Sequence, residues 1–144
     1  MPLPIWSATY LIGHSAIDAE HRRLLDDLAA IYSAAPPPRG SGALSVLDLF
    51  DAWLDDFARH AQEEERMMDQ LRTPAGIAHR QRHVDEHTDF LHQAMDLRNS
   101  VARGDCPQAA LDALGELLIS QDLVRSDFEL IGLLLREAVP IAGK

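Results

Sequence analysis

The chain has 144 residues, of which 47% are hydrophobic, and it carries a formal net charge of −10. This length suits one compact domain, so we predict a single domain over residues 1–144, and the hydrophobic content excludes general disorder. So acidic a chain repels phosphate backbones, which argues against nucleic-acid binding, and its single cysteine excludes an intramolecular disulfide.

Membrane insertion and secretion are not expected. No apolar run approaches the ~20 residues that a transmembrane helix needs. The opening residues also lack the basic and then apolar pattern of a secretory signal. We therefore expect a cytoplasmic protein without membrane contact.

Four helices are predicted between three clusters of helix-breaking residues, because each intervening stretch has helical periodicity and strand signals are scarce. An irregular N-terminal arm over residues 1–16 precedes them. The predicted ranges are approximately 18–34, 43–71, 74–102 and 107–137. Short connections between four helices favour an all-α fold, an up-down-up-down four-helix bundle.

Each predicted helix carries a stripe of side chains at spacings of three and four residues, and this stripe should face the bundle axis. Ionisable side chains occupy several positions within the same stripes. They are His21, His60, Glu64, His83, His87, Asp122 and Asp127. Burial of these groups is unfavourable unless each finds a partner. Metal binding would satisfy all seven at once.

The spacing of these residues is compatible with two metal ions. His60 and Glu64 are four residues apart, as are His83 and His87, so each pair shares one helix face. The five-residue separation in the fourth helix gives a wider angle that still allows both aspartates to lean inward. Imidazole and carboxylate ligands suit iron, zinc or manganese. Seven ligands are too many for one tetrahedral zinc and about right for two octahedral ions that share carboxylates.

At these residues the chain resembles the hemerythrin family in its short bacterial form. Four segments carry the resemblance, in the family's order along nearly the whole chain. They are the opening from Trp6 through Tyr10 to His21, the HxxxE segment His60–Glu64 with the trailing Met68, the HxxxH segment His83–His87 followed by Phe90, and the closing Asp127.

The resemblance implies a non-haem diiron centre, with an oxo or hydroxo bridge, that takes dioxygen or peroxide as its small ligand. Such a protein would bind dioxygen for sensing, supply or storage. The implied ligand set places His21 and His60 on one iron, His83 and His87 on the other, and Glu64 and Asp127 between the two.

Two departures from the family pattern leave alternatives open. Asp122 stands where the family has a third histidine for the second iron, and the extra negative charge should stabilise ferric iron. Ala61 and Leu118 stand where the family usually has aromatic residues, which would open the ligand pocket. One alternative is therefore a diiron oxidase or peroxidase-like protein that consumes O2 or peroxide. Another alternative is a module that binds iron or another metal, or that signals, without carrying oxygen. Its protein partner is not identified by the sequence.

The remaining histidines, the cysteine and the acidic residues beside Glu64 are interpreted as peripheral. The histidines expected at the surface are His14, His79 and His92. Glu63 and Glu65 are expected on a solvated acidic face, and Cys106 is expected to be a bystander in a loop.

Overall fold

A computed structural model describes residues 11, 13–33, 46–104 and 107–139, apart from the side chains of residues 33, 107, 109, 110 and 121–124. In these ranges the chain is all-helical, as predicted, with no β-strand. The elements are α1 (Ser15–Ser33), α2 (Val46–Met68), α3 (Pro74–Ala102), α4 (Pro107–Leu117), a π-helical segment (Leu118–Ser126) and α5 (Asp127–Arg136). Most of the predicted N-terminal arm, with Trp6 and Tyr10, and the loop residue Cys106 lie outside the described residues. No described helix is long and apolar enough to cross a membrane.

The beginning of α3 is fixed by local chemistry and by a contact from the end of the chain. Pro74 occupies the first turn, where its missing N–H is not needed. Thr73 is the N-cap, and its hydroxyl accepts a hydrogen bond from Gly76 N at 3.0 Å. The Glu137 carboxylate, just after α5, accepts hydrogen bonds from Arg72 N at 2.6 Å and from Thr73 N at 3.0 Å. This C-terminal clamp ties the end of α5 to the beginning of α3.

The predicted fourth helix is interrupted by π-helical geometry. Leu118 and Asp127 are nine residues apart and both are fully buried. Nine residues make two and a half turns of an α-helix, which would place the two side chains on opposite faces. A π-helix, with its i→i+5 hydrogen bonds, has more residues per turn than an α-helix. Over this segment the wider turn brings both side chains to the same face. The π-helical segment thus keeps α4 and α5 facing one core.

The helices pack in a ring, in which α2 contacts α1 and α3, and α4 contacts α3 and α1. This arrangement is consistent with a four-helix bundle. Within the described part of the chain, the hydrophobic core consists of two clusters. The aromatic cluster contains Trp53, Phe57 and Phe90 with leucines of α1 and α4. The second, smaller cluster contains Ile17, Met68, Leu71 and the leucines of α5.

Candidate metal centre

The structure brings six of the seven predicted ligands together between the two hydrophobic clusters. Each of the six side chains is at most 2% exposed. This polar layer consists of His21 on α1, His60 and Glu64 on α2, His83 and His87 on α3, and Asp127 at the beginning of α5. The side chain of the seventh residue, Asp122, is among those that the structure does not describe.

The polar layer divides into two sets of four side chains that overlap. In each set the candidate ligand atoms lie within 4.8 Å of one another. One set contains His21 and His60, the other contains His83 and His87, and both contain Glu64 and Asp127. Two carboxylates between two pairs of imidazoles form a geometry that can hold two cations side by side.

The same ring nitrogen of each histidine faces the carboxylates. His21 Nε2 lies 2.5 Å from Asp127 Oδ2, and His83 Nε2 lies 2.9 Å from Asp127 Oδ1. His87 Nε2 and His60 Nε2 lie 3.1 and 3.2 Å from Glu64 Oε1. The four Nε2 atoms therefore converge on one small volume.

The outward nitrogens of three of these histidines have partners of their own. His60 Nδ1 lies 2.6 Å from Glu20 Oε2, and His87 Nδ1 lies 3.2 Å from Glu65 Oε2. His83 Nδ1 lies 3.0 Å from His79 Nε2. An acceptor at Nδ1 holds the proton there and leaves the Nε2 lone pair for a metal, which is the usual arrangement around metal-binding histidines.

The charges in the polar layer are strongly interdependent. Burial opposes protonation of His60, but the adjacent Glu64 and Asp127 carboxylates outweigh it and raise the pKa of His60 well above its usual value. Burial likewise opposes ionisation of Asp127, but hydrogen bonds from His21, His60 and His83 hold the pKa of Asp127 well below its usual range. Buried carboxylates of this kind need positive charge beside them, and either protons on the imidazoles or metal cations supply it.

Buried polar atoms that make no hydrogen bond in the polar layer are also compatible with a bound metal ion. Among the described residues, buried Glu64 Oε2 makes no hydrogen bond, and neither does buried His21 Nδ1. A buried carboxylate oxygen without a donor is rare in native proteins and calls for an explanation. Coordination of a cation by Glu64 provides one, because the cation takes the place of the missing donor.

Three of the residues interpreted as peripheral are not. His79 is 3% exposed and contacts His83, although we expected it at the surface. His14 is 2% exposed and caps α1, where its Nδ1 accepts a hydrogen bond from Ile17 N at 3.2 Å. Glu65 is only half-exposed and contacts His87. His92 and Glu63 are exposed, as predicted.

The sequence contained a signal for one of the missed outer partners. His79 precedes His83 by four residues on the ligand face of α3, so this spacing could have predicted the burial of His79. Glu20 contacts a ligand on another helix, and Glu65 contacts a histidine 22 residues away. Such long-range pairs have no signature in one sequence.

Comparison with known families agrees with this geometry. Residues 13–126 match the family model described as the hemerythrin HHE cation binding domain. Because the match covers most of the chain, the protein belongs to the hemerythrin family, which confirms the resemblance. The matched residues include every member of the polar layer except Asp127, which follows directly. No curated protein and no solved structure matched the chain.

Proposed function

We propose that the protein binds two iron ions in the polar layer and uses them to bind dioxygen for sensing, supply or storage. The observation that carries this proposal is the sharing of Glu64 and Asp127 by two buried ligand sets. His21 and His60 would hold one ion, and His83 and His87 the other. When bound there, ferrous iron would supply a binding position for dioxygen and the electrons for its reduction.

The choice of iron rests on the ligand types and on the family. Imidazole and carboxylate side chains without thiolates suit iron and other borderline ions. The family description specifies a cation, and the resemblance specifies iron. Asp122 is the proposed further ligand, since it stands where the family has a histidine.

The chain provides an apolar wall beside the polar layer. The Phe57 ring lies 6.1 Å from the His60 ring and 6.0 Å from the His87 ring, measured between centroids. Ala61 and Leu118 are buried in the same aromatic cluster. An apolar wall at this place favours a small neutral ligand such as dioxygen over charged solutes.

The proposed architecture is a single domain with up-down-up-down topology. In it α4, the π-helical segment and α5 together form the fourth helix. The ring of contacts among α1, α2, α3 and α4 supports this topology. In this architecture each of the four helices carries at least one of the proposed ligands.

Iron analysis tests the proposal directly. The purified chain is loaded with Fe2+ without oxygen, and we expect two irons per chain. Glu64→Gln should lower this content because it removes a shared carboxylate, whereas Glu116→Gln, which changes an exposed glutamate on α4, should not. Admission of air should then give a visible spectrum that reverts on degassing. Fewer than two irons in the unmodified protein would overturn the proposal.

A second candidate function, consumption of O2 or peroxide, is favoured by the carboxylates around the ligands. Glu20 and Glu65 contact His60 and His87, and such partners make an imidazole a stronger donor to ferric iron. Asp122 in place of a histidine adds negative charge. If this function is the true one, air should oxidise the centre rapidly with peroxide release or turnover, and Asp122→His should slow the oxidation. An unchanged rate in Asp122→His would contradict the charge argument.

A further inference from the structure

His79 stands out among the buried groups that the proposed metal centre does not use. It lies on α3, one turn before His83, and its ring meets the His83 ring edge-on at a centroid distance of 5.0 Å. His79 Nε2 is 3.0 Å from His83 Nδ1. The contact is on the side of His83 that faces away from the other ligands, so His79 is positioned behind a ligand rather than among them.

On the side away from His83, the His79 ring contacts two charged residues. Its Nδ1 lies 3.5 Å from Glu129 Oε2 and 3.2 Å from Arg82 Nη2. Arg82 Nη2 in turn lies 2.5 Å from the same Glu129 oxygen. The carboxylate of Glu129 on α5 is thus held by the guanidinium and directed at the His79 ring.

We propose that His79 is a positioning residue for His83, setting the orientation and donor strength of this metal ligand through an imidazole–imidazole–carboxylate chain. The inference rests on the proposed function. When a metal is bound at His83 Nε2, the proton of His83 must be on Nδ1 and is donated to His79 Nε2. The remaining proton of His79 is then on Nδ1, which faces Glu129 Oε2 at 3.5 Å. Arg82 can only donate, so in this state its guanidinium must turn from His79 Nδ1 to Glu129 alone.

This chain distinguishes His83 from the two other ligands with outward partners. His60 and His87 contact the carboxylates Glu20 and Glu65 directly. His83 contacts a neutral ring, with the carboxylate one step further out. A direct carboxylate withdraws the ligand proton more strongly and makes the imidazole a better donor. His79 therefore gives His83 a fixed orientation with an intermediate donor strength.

The surroundings of His79 make it suitable for substitution. It lines a surface pocket of about 430 Å³ between α3 and α5, together with Arg82, Phe128 and Glu129. This space is open to side chains of different shape at position 79.

The test compares three variants at this position. His79→Leu removes the acceptor, His79→Gln keeps an acceptor oxygen, and His79→Glu introduces a direct carboxylate. His92→Leu, which changes an exposed histidine on the same helix, is the matched control. Each protein is loaded with Fe2+ without oxygen, and binding is measured by competition with a chelator. The reduction potential is then measured by a spectroscopic titration.

We expect one of the two iron equivalents to bind roughly 10- to 100-fold more weakly in His79→Leu. His79→Gln should restore part of the affinity, and the control should match the unmodified protein. The potential should be lowest in His79→Glu, intermediate in the unmodified protein and highest in His79→Leu. A structural role alone would not produce this order.

The outcomes separate the inference from the function on which it rests. If the unmodified protein binds two irons and the three variants match it in affinity and potential, the inference is wrong and the proposed function stands. If the unmodified protein binds no iron pair, both are wrong. Should His79→Leu fail to fold, the other two variants still decide, because identical potentials for His79→Glu and His79→Gln would overturn the inference.

Discussion

The aromatic cluster and the polar layer are adjacent on the same helices but are stabilised in opposite ways. In α2 a single stripe passes from Trp53 and Phe57 to His60 and Glu64 without a break. The aromatic cluster needs only its own surfaces, since burial of apolar area is favourable in itself. The polar layer needs positive charge from outside the chain. Helical register thus decides which side chains are buried, and the available partners decide whether their burial is stable.

The largest expected effect is on the aromatic cluster. Trp53 is 1% exposed, stacks on Phe57 at a centroid distance of 5.8 Å, and donates from Nε1 to Leu24 O at 2.8 Å. Trp53→Ala should lower the free energy of unfolding by about 3–5 kcal/mol, with or without metal, because it leaves a cavity. Urea unfolding measures this, with Met95→Ala as control. Met95 is 51% exposed, and its replacement should cost less than about 0.5 kcal/mol. A metal-dependent penalty for Trp53→Ala would show that the two regions are not independent.

The next effect is on the polar layer and comes from metal removal. Cations that bind only the folded chain stabilise it by about 2.7 kcal/mol at a free concentration of 100 times Kd. The unfolding free energy should therefore fall when a chelator removes the metal, and Zn2+ provides a probe without redox chemistry. Glu64→Gln should lose most of this increment. Equal stability of the loaded and metal-free chains would mean that the polar layer is balanced by protons alone.

The smallest expected effect is at the C-terminal clamp, outside both regions. Hydrogen bonds from the Arg72 backbone and from Thr73 lower the pKa of Glu137 below its ordinary value of 4.5. The ionised carboxylate thus stabilises the folded chain above this ordinary value, and its contribution is lost as the pH falls through the lowered pKa. The difference in unfolding midpoint between the unmodified protein and Glu137→Gln should shrink from about pH 7 to about pH 4. A difference that does not change with pH would mean that the charge of Glu137 is unimportant.

Much of the polar layer was predictable from sequence because its ligands follow helical spacing. The pairs His60 with Glu64 and His83 with His87 each share a face once α2 and α3 form. The outer contacts were not predictable, since Glu20 reaches His60 across a gap of 40 residues. Such contacts depend on the packing of whole helices.

The fourth helix shows where sequence patterns become ambiguous. Its stripe fits two registers, one that continues from Leu118 to Asp122 and one that leads from Leu123 to Asp127. We predicted one continuous helix with both. The structure has π-helical geometry over this stretch, which changes the register after Leu118 and turns Asp127 to the core. Periodicity detects such a shift but does not identify the hydrogen-bond pattern that produces it.

The metal centre depends on the number of residues in the π-helical segment as well as on the types of the ligand residues. Asp127 lies on the face of the polar layer because it follows Leu118 by nine positions in a wide helix. With one residue removed and α-helical bonding throughout, the remaining eight positions would turn Asp127 by about 80° from Leu118 around the helix axis. A deletion that left every ligand in the sequence would therefore take a shared carboxylate out of both ligand sets. Aligned homologues with one residue fewer between these positions, in an α-helix throughout, would keep the ligand motif but turn the shared carboxylate away from the other ligands.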